Sequence, residues 1–309
     1  FRVDMSLGDD IKASLKIEDG IAVGGRIHFG SDSFGAVTFD RIRMTGRLAQ
    51  LDYEQWMLVT DQLAELTDVS LEDEIAAYVA SVELSVDELL LFSLPLEDAS
   101  VRVTRGDQAW LAHIDNQMLL GDIKVADDDL QPIAVDLRRI SFDEEEGEGD
   151  PLAAIDPLEI GDIDFATEHL LIDGENYGGW AFQYRAKDDM ARFENLSANA
   201  AGVVVLPSST LEWRNEKGKH TTRYEGDIRV DDLAHAMQKF GFASSIEGKG
   251  LKLKANVAWE GSPAMVDVNR VVGSVEIHEG EGRFVQAETG GALKLLGIFD
   301  FASLTRRAR

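Results

Sequence analysis

Apolar and polar residues alternate with period two from the start of the chain. Ile11, Ala13, Leu15 and Ile17 fall on one side, and Lys12, Ser14, Lys16 and Glu18 on the other. That is the pattern of a strand with one dry and one wet face. Ile42, Met44, Gly46 and Leu48 alternate in the same way with Arg41, Arg43, Thr45 and Arg47. From Val82 the alternation resumes and hardly stops: Val82, Leu84, Val86; Val101, Val103; Trp110, Ala112, Ile114; Ile123, Val125; Ile133, Val135, Leu137; Ile140, Phe142. It continues through Ile163, Phe165; Leu170, Ile172; Trp180, Phe182, Tyr184; Val203, Val205; Leu211, Trp213; Tyr224, Ile228, Val230; Leu251, Leu253, Val257, Trp259; and Gly273, Val275, Ile277. Gly24-Gly25 and Gly30 to Gly35 punctuate the first stretch, and turn signals at Pro95, Gly106-Asp107, Asn116-Gln117 and Asp127 to Asp129 the later ones, so the pattern predicts about fifteen short strands in an antiparallel meander.

A few stretches break the period. Asp52 has the character of a helix cap, followed by Tyr53, Trp56, Val59, Leu63 and Leu66 at helical spacing, with a second helical stretch from Leu71 to about Ala80. A short helix over 232–240 is predicted, capped by Asp231 or Asp232 and ended by Gly241. Asp143 to Pro157, with EEEGEGDP at its centre, is a low-complexity acidic loop and reads as a solvated excursion. After Gly280 and Gly282 a brief strand, Arg283 to Val285, precedes a run from Ala292 to Leu304 that is apolar on nearly every side. Such a helix plugs a core or sits against lipid, and it is too short to span a bilayer. The chain therefore divides into a sheet segment (1–50), a helical insertion (51–80), a continued antiparallel sheet (81–288) and a C-terminal apolar helix (289–309).

At about 4.8 Å per strand, fifteen strands in one sheet would extend on the order of 70 Å. Such a sheet twists and curls, folds into a sandwich, or forms a trough. Period two suits all three, because each needs one apolar face per strand.

Composition narrows the function. Fifty-seven acidic and thirty basic residues give a net charge of -27, which argues against nucleic acid or an anionic membrane surface held by charge. Any lipid bound here is held by its tails. With no cysteine, disulfides, thiolate metal sites and a cysteine nucleophile are excluded. No apolar run reaches eighteen residues. The chain begins at Phe1 inside an alternating pattern, and is read as a piece of a longer one. No G-x-S-x-G, Gly-rich phosphate loop, H-E-x-x-H or dinucleotide fingerprint occurs. The six histidines, His28, His113, His169, His220, His235 and His278, lack metal spacing and read as surface residues. These residues point to no cofactor, metal ligand or catalytic group, and the remaining enzymatic alternative is a carboxylate pair for glycan hydrolysis among so many acids.

Several stretches then resemble a known family. EGDIRVDDLAHAMQKFGFASSIEGKGLKLKANVAWEGSPAMVDVNRVVGSVEIHEGEGRF, followed by LKLLGIFDFASLTRR, is similar to the C-terminal region of the YhdP proteins, AsmA-like envelope proteins of Gram-negative bacteria. The shared positions include Asp232-Leu233, Gly241-Phe242, Trp259, Gly261-Ser262-Pro263, Gly282-Arg283-Phe284, Leu295-Leu296-Gly297, Leu304 and Arg306-Arg307. MTGRLAQLDYEQW and VDELLLFSLPLEDASVRVTR carry the likeness upstream. Phe299-Asp300-Phe301, the long acidic loop and the stop at Arg309 depart from the family pattern.

The resemblance implies a non-enzymatic periplasmic body, tethered to the inner membrane by an N-terminal segment ahead of this fragment. It implies phospholipid passage between inner and outer membrane along a long curled, mostly antiparallel sheet that forms an open groove. Phospholipid acyl chains and the two membranes would then be the partners. The groove lining expected on the alternating faces is Ile42, Met44, Leu84, Trp110, Ile114, Trp180, Phe182, Tyr184, Val203, Val205, Trp213, Tyr224, Ile228, Leu253, Val257, Trp259, Val275 and Ile277. Leu293, Leu296, Phe299, Leu304, Arg306 and Arg307 would form a helix capping the groove end. Without the resemblance the same aromatics read as sandwich core. The alternative function is a scaffold or assembly factor for envelope biogenesis, recognisable by a sheet face filled with the chain's own helices.

Overall fold

A computed structural model describes residues 1–31, 34–53, 55, 78–91, 94–128, 130–142, 150, 152–239, 246–266 and 270–284. The fold is mainly β: seventeen strands in one mostly antiparallel sheet and, among the described residues, one complete short helix. The chain forms two compact units, Phe1–Gln131 and Pro132–Arg309. The boundary falls inside the stretch that the alternation alone reads as continuous from 81 to 288.

The first unit holds β1 (Arg2–Leu7), β2 (Ile11–Glu18), β3 (Ile21–Phe29), β4 (Ile42–Asp52), β5 (Val79–Leu91), β6 (Leu94–Arg105), β7 (Ala109–Asp115) and β8 (Leu119–Ala126). Each pairs with the next. The second holds β9 (Ile133–Phe142), β10 (Ile163–Ile172), β11 (Glu175–Asn176), β12 (Gly179–Lys187), β13 (Met190–Ala200), β14 (Val203–Glu216), β15 (Lys219–Asp232), α1 (Leu233–Lys239), β16 (Ile246–Glu260) and β17 (Val272–Phe284). Here β10 pairs with β9, β11 and β12, and the strands from β12 to β17 pair in chain order. Among the described residues no register joins β1 to β8 or β9 to β17.

The meander is broken at three places where neighbours run parallel: β3 with β4, β4 with β5, and β9 with β10. A parallel pair needs a crossover of a dozen residues or more. The crossovers, residues 30–41, 53–78 and 143–162, contain the Gly-rich, helical and acidic interruptions of the period-two pattern. Glycine makes one junction possible: Gly46 on β4 has φ of 129°, and a side chain there would collide with the Phe29 backbone across the pair.

Local expectations meet mixed outcomes. Asp52 caps as predicted, its Oδ1 accepting the Gln55 amide at 3.0 Å. Asp232, of the two candidates, caps α1 through the His235 amide at 3.0 Å. Asn116 makes its turn by accepting the Met118 and Leu119 amides. Pro95 is not a turn residue but lies in β6 opposite Leu90, because the hairpin closes at Leu91 and Leu94. The brief strand expected after Gly282 is the end of β17, which continues through Gly280 and Gly282 to Phe284. His28 and His220 are buried rather than superficial. Most of the helical insertion, residues 143–149 of the acidic loop and the C-terminal helix lie outside the described residues.

Candidate functional site: two apolar sheet faces

Register decides which side chains share a face. In the first unit Met5, Ala13, Ile27, Met44, Val82, Val103, Ala112 and Ile123 oppose one another across all eight strands. A neighbouring row runs Leu7, Ile11, Phe29, Gly46, Leu84, Val101, Ile114 and Gly121. Both rows are unbroken by any charge. Of the residues expected here, Ile42, Leu84 and Ile114 are buried, whereas Met44 and Trp110 are half-buried. Ile27, Val82, Val103, Ala112 and Ile123 are also half-buried, which leaves a greasy strip with incomplete cover. Trp110 opposes Val125 and lies under the Arg105 guanidinium, 5.2 Å from the ring centroid. Arg105 in turn grips Asp127 with two bonds of 2.5 and 2.6 Å, which holds the Asp127 carboxyl below its ordinary range.

The second unit has the same kind of rows with a different fate. Phe165 opposes Val135 and Phe182; Tyr184 opposes Phe193; Phe193 opposes Leu211, then Tyr224 and Val257 follow. Another row runs Ala198, Val205, Ile228, Leu253 and Ile277. Tyr184, Val203, Val205, Trp213, Tyr224, Ile228, Leu253, Val257 and Trp259 are all buried and join one large core cluster. Trp180, Phe182 and Val275 pack against it half-buried, and Ile277 on β17 is 62% exposed. Phe165, Phe182, Phe193 and Tyr184 form an aromatic ladder with ring centroids 4.8 to 5.0 Å apart.

The chain itself supplies cover in this unit. Leu233, Ala236 and Met237 of α1 enter the cluster, as do Val266 and Val271 from the β16–β17 connection, and Leu152 and Ile160 pack on it from the crossover. The buried polar tips are satisfied accordingly. Tyr184 Oη donates to the Pro157 carbonyl at 2.6 Å, and Trp259 Nε1 to the Ser262 carbonyl at 3.0 Å. Trp213 Nε1 donates to His220 Nδ1 at 3.0 Å, so His220 carries its proton on Nε2, which faces the Ala153 carbonyl at 3.0 Å. Tyr224 Oη donates to Ser209 Oγ at 3.0 Å in space that only Gly226 leaves open. Burial raises the Tyr184 phenol strongly and the Tyr224 phenol to about 12.

The expected lining thus divides within each unit: Ile42, Leu84 and Ile114 are buried and Met44 and Trp110 half-buried in the first, while most of the second unit's residues are core and Trp180, Phe182, Val275 and Ile277 keep exposed surface. Leu293, Leu296, Phe299, Leu304, Arg306 and Arg307 lie outside the described residues. The row members absent from the expected lining, Ile27, Val82, Val103, Ala112 and Ile123, carry a period-two signal of their own; only the pairing shows that they complete one strip. Among the described residues no cluster of three His, Asp or Glu side chains could hold a metal, and no helix is long and apolar enough to cross a membrane.

The family model for YhdP protein matches residues 1–309, the whole chain. The chain belongs to the YhdP family. Membership carries the coarse assignment to AsmA-like envelope proteins and accounts for the motif at the end of β16. There Trp259, Gly261 and Ser262 build a turn: Gly261 donates its amide to the His220 carbonyl at 2.9 Å, and Thr222 donates to the Gly261 carbonyl at 2.8 Å. No curated protein matches the chain, and no solved structure does.

Proposed function

We propose that this chain is the periplasmic part of an inner-membrane-tethered envelope protein that carries phospholipids between inner and outer membrane, holding acyl chains on an apolar sheet face without catalysing a reaction. The observation that carries this reading is the strip Ile27, Met44, Val82, Val103, Ala112 and Ile123, in register, uncharged and only half-buried. Each CH₂ buried against such a strip is worth about 0.8 kcal/mol, so one acyl chain is held with no specific polar contact. A row of similar weak contacts also lets the chain slide. The net charge of -27 favours holding by tails over holding by anionic headgroups.

The test places photo-crosslinking side chains at Val82 and Val103, and at Glu83 and Arg102 on the opposite face, where those two form an ion pair at 3.8 Å. Adducts analysed by mass spectrometry should carry phospholipid at Val82 and Val103 and little at the other two. Equal yields from both pairs would sink the proposal. The second reading, a scaffold for envelope assembly, is favoured by one observation: the face of the second unit is occupied by the chain's own α1 and connections. It predicts protein rather than lipid adducts at Val82 and Val103.

A further inference from the structure

The crossover between β9 and β10 ends in a segment, residues 152–162, that has neither helix nor strand yet lies on the core of the second unit. Its backbone is largely satisfied from within. Ala153, Ile155 and Glu159 donate amides three residues back, to Asp150, Leu152 and Asp156, and the Asp150 and Asp156 side chains accept the Leu152 and Leu158 amides. A segment whose turns close on themselves loses little local structure when it moves. Most of its side chains are exposed, including Ile155 and Leu158.

Its last residue is fixed to the sheet: Asp162 pairs with Arg185 at 3.8 Å, its Oδ1 accepts the Ala186 amide at 3.3 Å and its carbonyl accepts the Ile133 amide at 2.9 Å, which makes Asp162 the fixed end about which the rest would move. Three further contacts hold the rest of the segment. Asp150 Oδ2 accepts the Ser262 amide at 2.7 Å, and Oδ1 accepts the Ser262 hydroxyl at 2.6 Å. His220 reaches the Ala153 carbonyl, and Tyr184 the Pro157 carbonyl. In the same core lie the rings of Tyr184, which meets Phe193 edge-on at the end of the aromatic ladder, and of Trp213, which is bonded to His220.

We propose that residues 152–162 are a displaceable strap, latched by Asp150 on Ser262, and that its release opens the aromatic end of the second unit's face to a lipid acyl chain. The inference rests on the proposed lipid-holding function. It gives the described end of this crossover, Asp150 and 152–162, a role in occupancy, and gives the Gly261-Ser262-Pro263 turn the role of a socket. The latch is charge-assisted and the ground beneath is apolar, so occupant and strap compete for one surface.

The experiment uses the full chain with benzoylphenylalanine at Phe193, or separately at Met44 in the first unit, and vesicles of phosphatidylethanolamine and phosphatidylglycerol. Asp150→Ala should raise amide hydrogen exchange across 152–162 about tenfold or more. It should also increase lipid adducts at Phe193 several-fold while leaving those at Met44 unchanged. Tyr184→Phe, which removes one tether and keeps the ring, should act in the same direction and serves if Asp150→Ala does not fold. Faster exchange without more adducts at Phe193 overturns the strap as a gate, and unchanged exchange in a folded variant overturns the latch. Loss of lipid adducts at Met44 in the unsubstituted background would instead overturn the lipid-holding reading, and this inference with it.

Discussion

Two sheet faces built from the same alternation end in different physical states. In the first unit Met44, Val82 and Val103 stand half-buried in a strip that crosses eight strands. In the second, Tyr224 at 0% and Trp213 at 2% exposure sit in a packed core, covered by α1 and by connections from both ends of the strands. The strands hardly differ in pattern. What differs is whether described chain returns across the apolar face. A sheet with partial cover keeps apolar surface available to a ligand, and a covered one converts the same residues into stability.

Truncation should separate the two most strongly. Trp213→Ala removes a fully buried ring and a bond to His220, and should cost about 3–5 kcal/mol, whereas Met44→Ala should cost roughly 1 kcal/mol because its site is only half desolvated. Denaturant titration of both variants checks this, and equal losses would erase the distinction between the faces. The next effect is alkaline. Tyr224 has its phenol raised from 10.0 to about 12 by burial, so the folded state favours the protonated form. That contribution is complete below about pH 10 and disappears as pH rises toward 12, a loss of roughly 2–3 kcal/mol by linkage. Unfolding of the second unit should steepen over that window and become shallower, without flattening, in Tyr224→Phe, because the raised Tyr184 phenol still contributes; the same steepness in the variant would remove Tyr224 as a cause. The smallest concerns the cover itself. Asp232→Ala deletes the cap of α1 and should cost about 1 kcal/mol. Faster hydrogen exchange should appear in Leu233–Lys239 before β15, and protection unchanged there would show that packing alone holds the helix.

Much of this was legible in advance, and for definite reasons. Alternation at Ile42, Met44 and Leu84 or at Leu253 and Val257 reports a face, since successive side chains on a strand point opposite ways. Asp52 and Asp232 were legible as caps because a short acceptor side chain before a helix has one common use. Pro95 was misread because a proline also fits a strand edge, and only pairing distinguishes that from a turn. Asp150 was hidden among glutamates in a segment with the composition of a solvated loop; its partner Ser262 is 112 residues away. His220 was equally opaque, since its burial depends on Trp213 beneath it and Ala153 beside it.

The sequence by itself determined the class of fold, the apolar face of most strands and the absence of a nucleic-acid-type charge pattern. These are properties of periodicity and composition, which each segment carries alone. The breaks in the alternation marked long connections but not their sense: those over 30–41, 53–78 and 143–162 join parallel neighbours, whereas the one that holds α1 joins the antiparallel β15 and β16. Only the tertiary structure decided which apolar faces remain partly open. Cover depends on where connections and α1 return, through contacts such as Asp150 to Ser262 that no local pattern encodes. The same period-two pattern becomes a greasy strip in one unit and a core in the other, because burial belongs to the assembled neighbours and not to the strand.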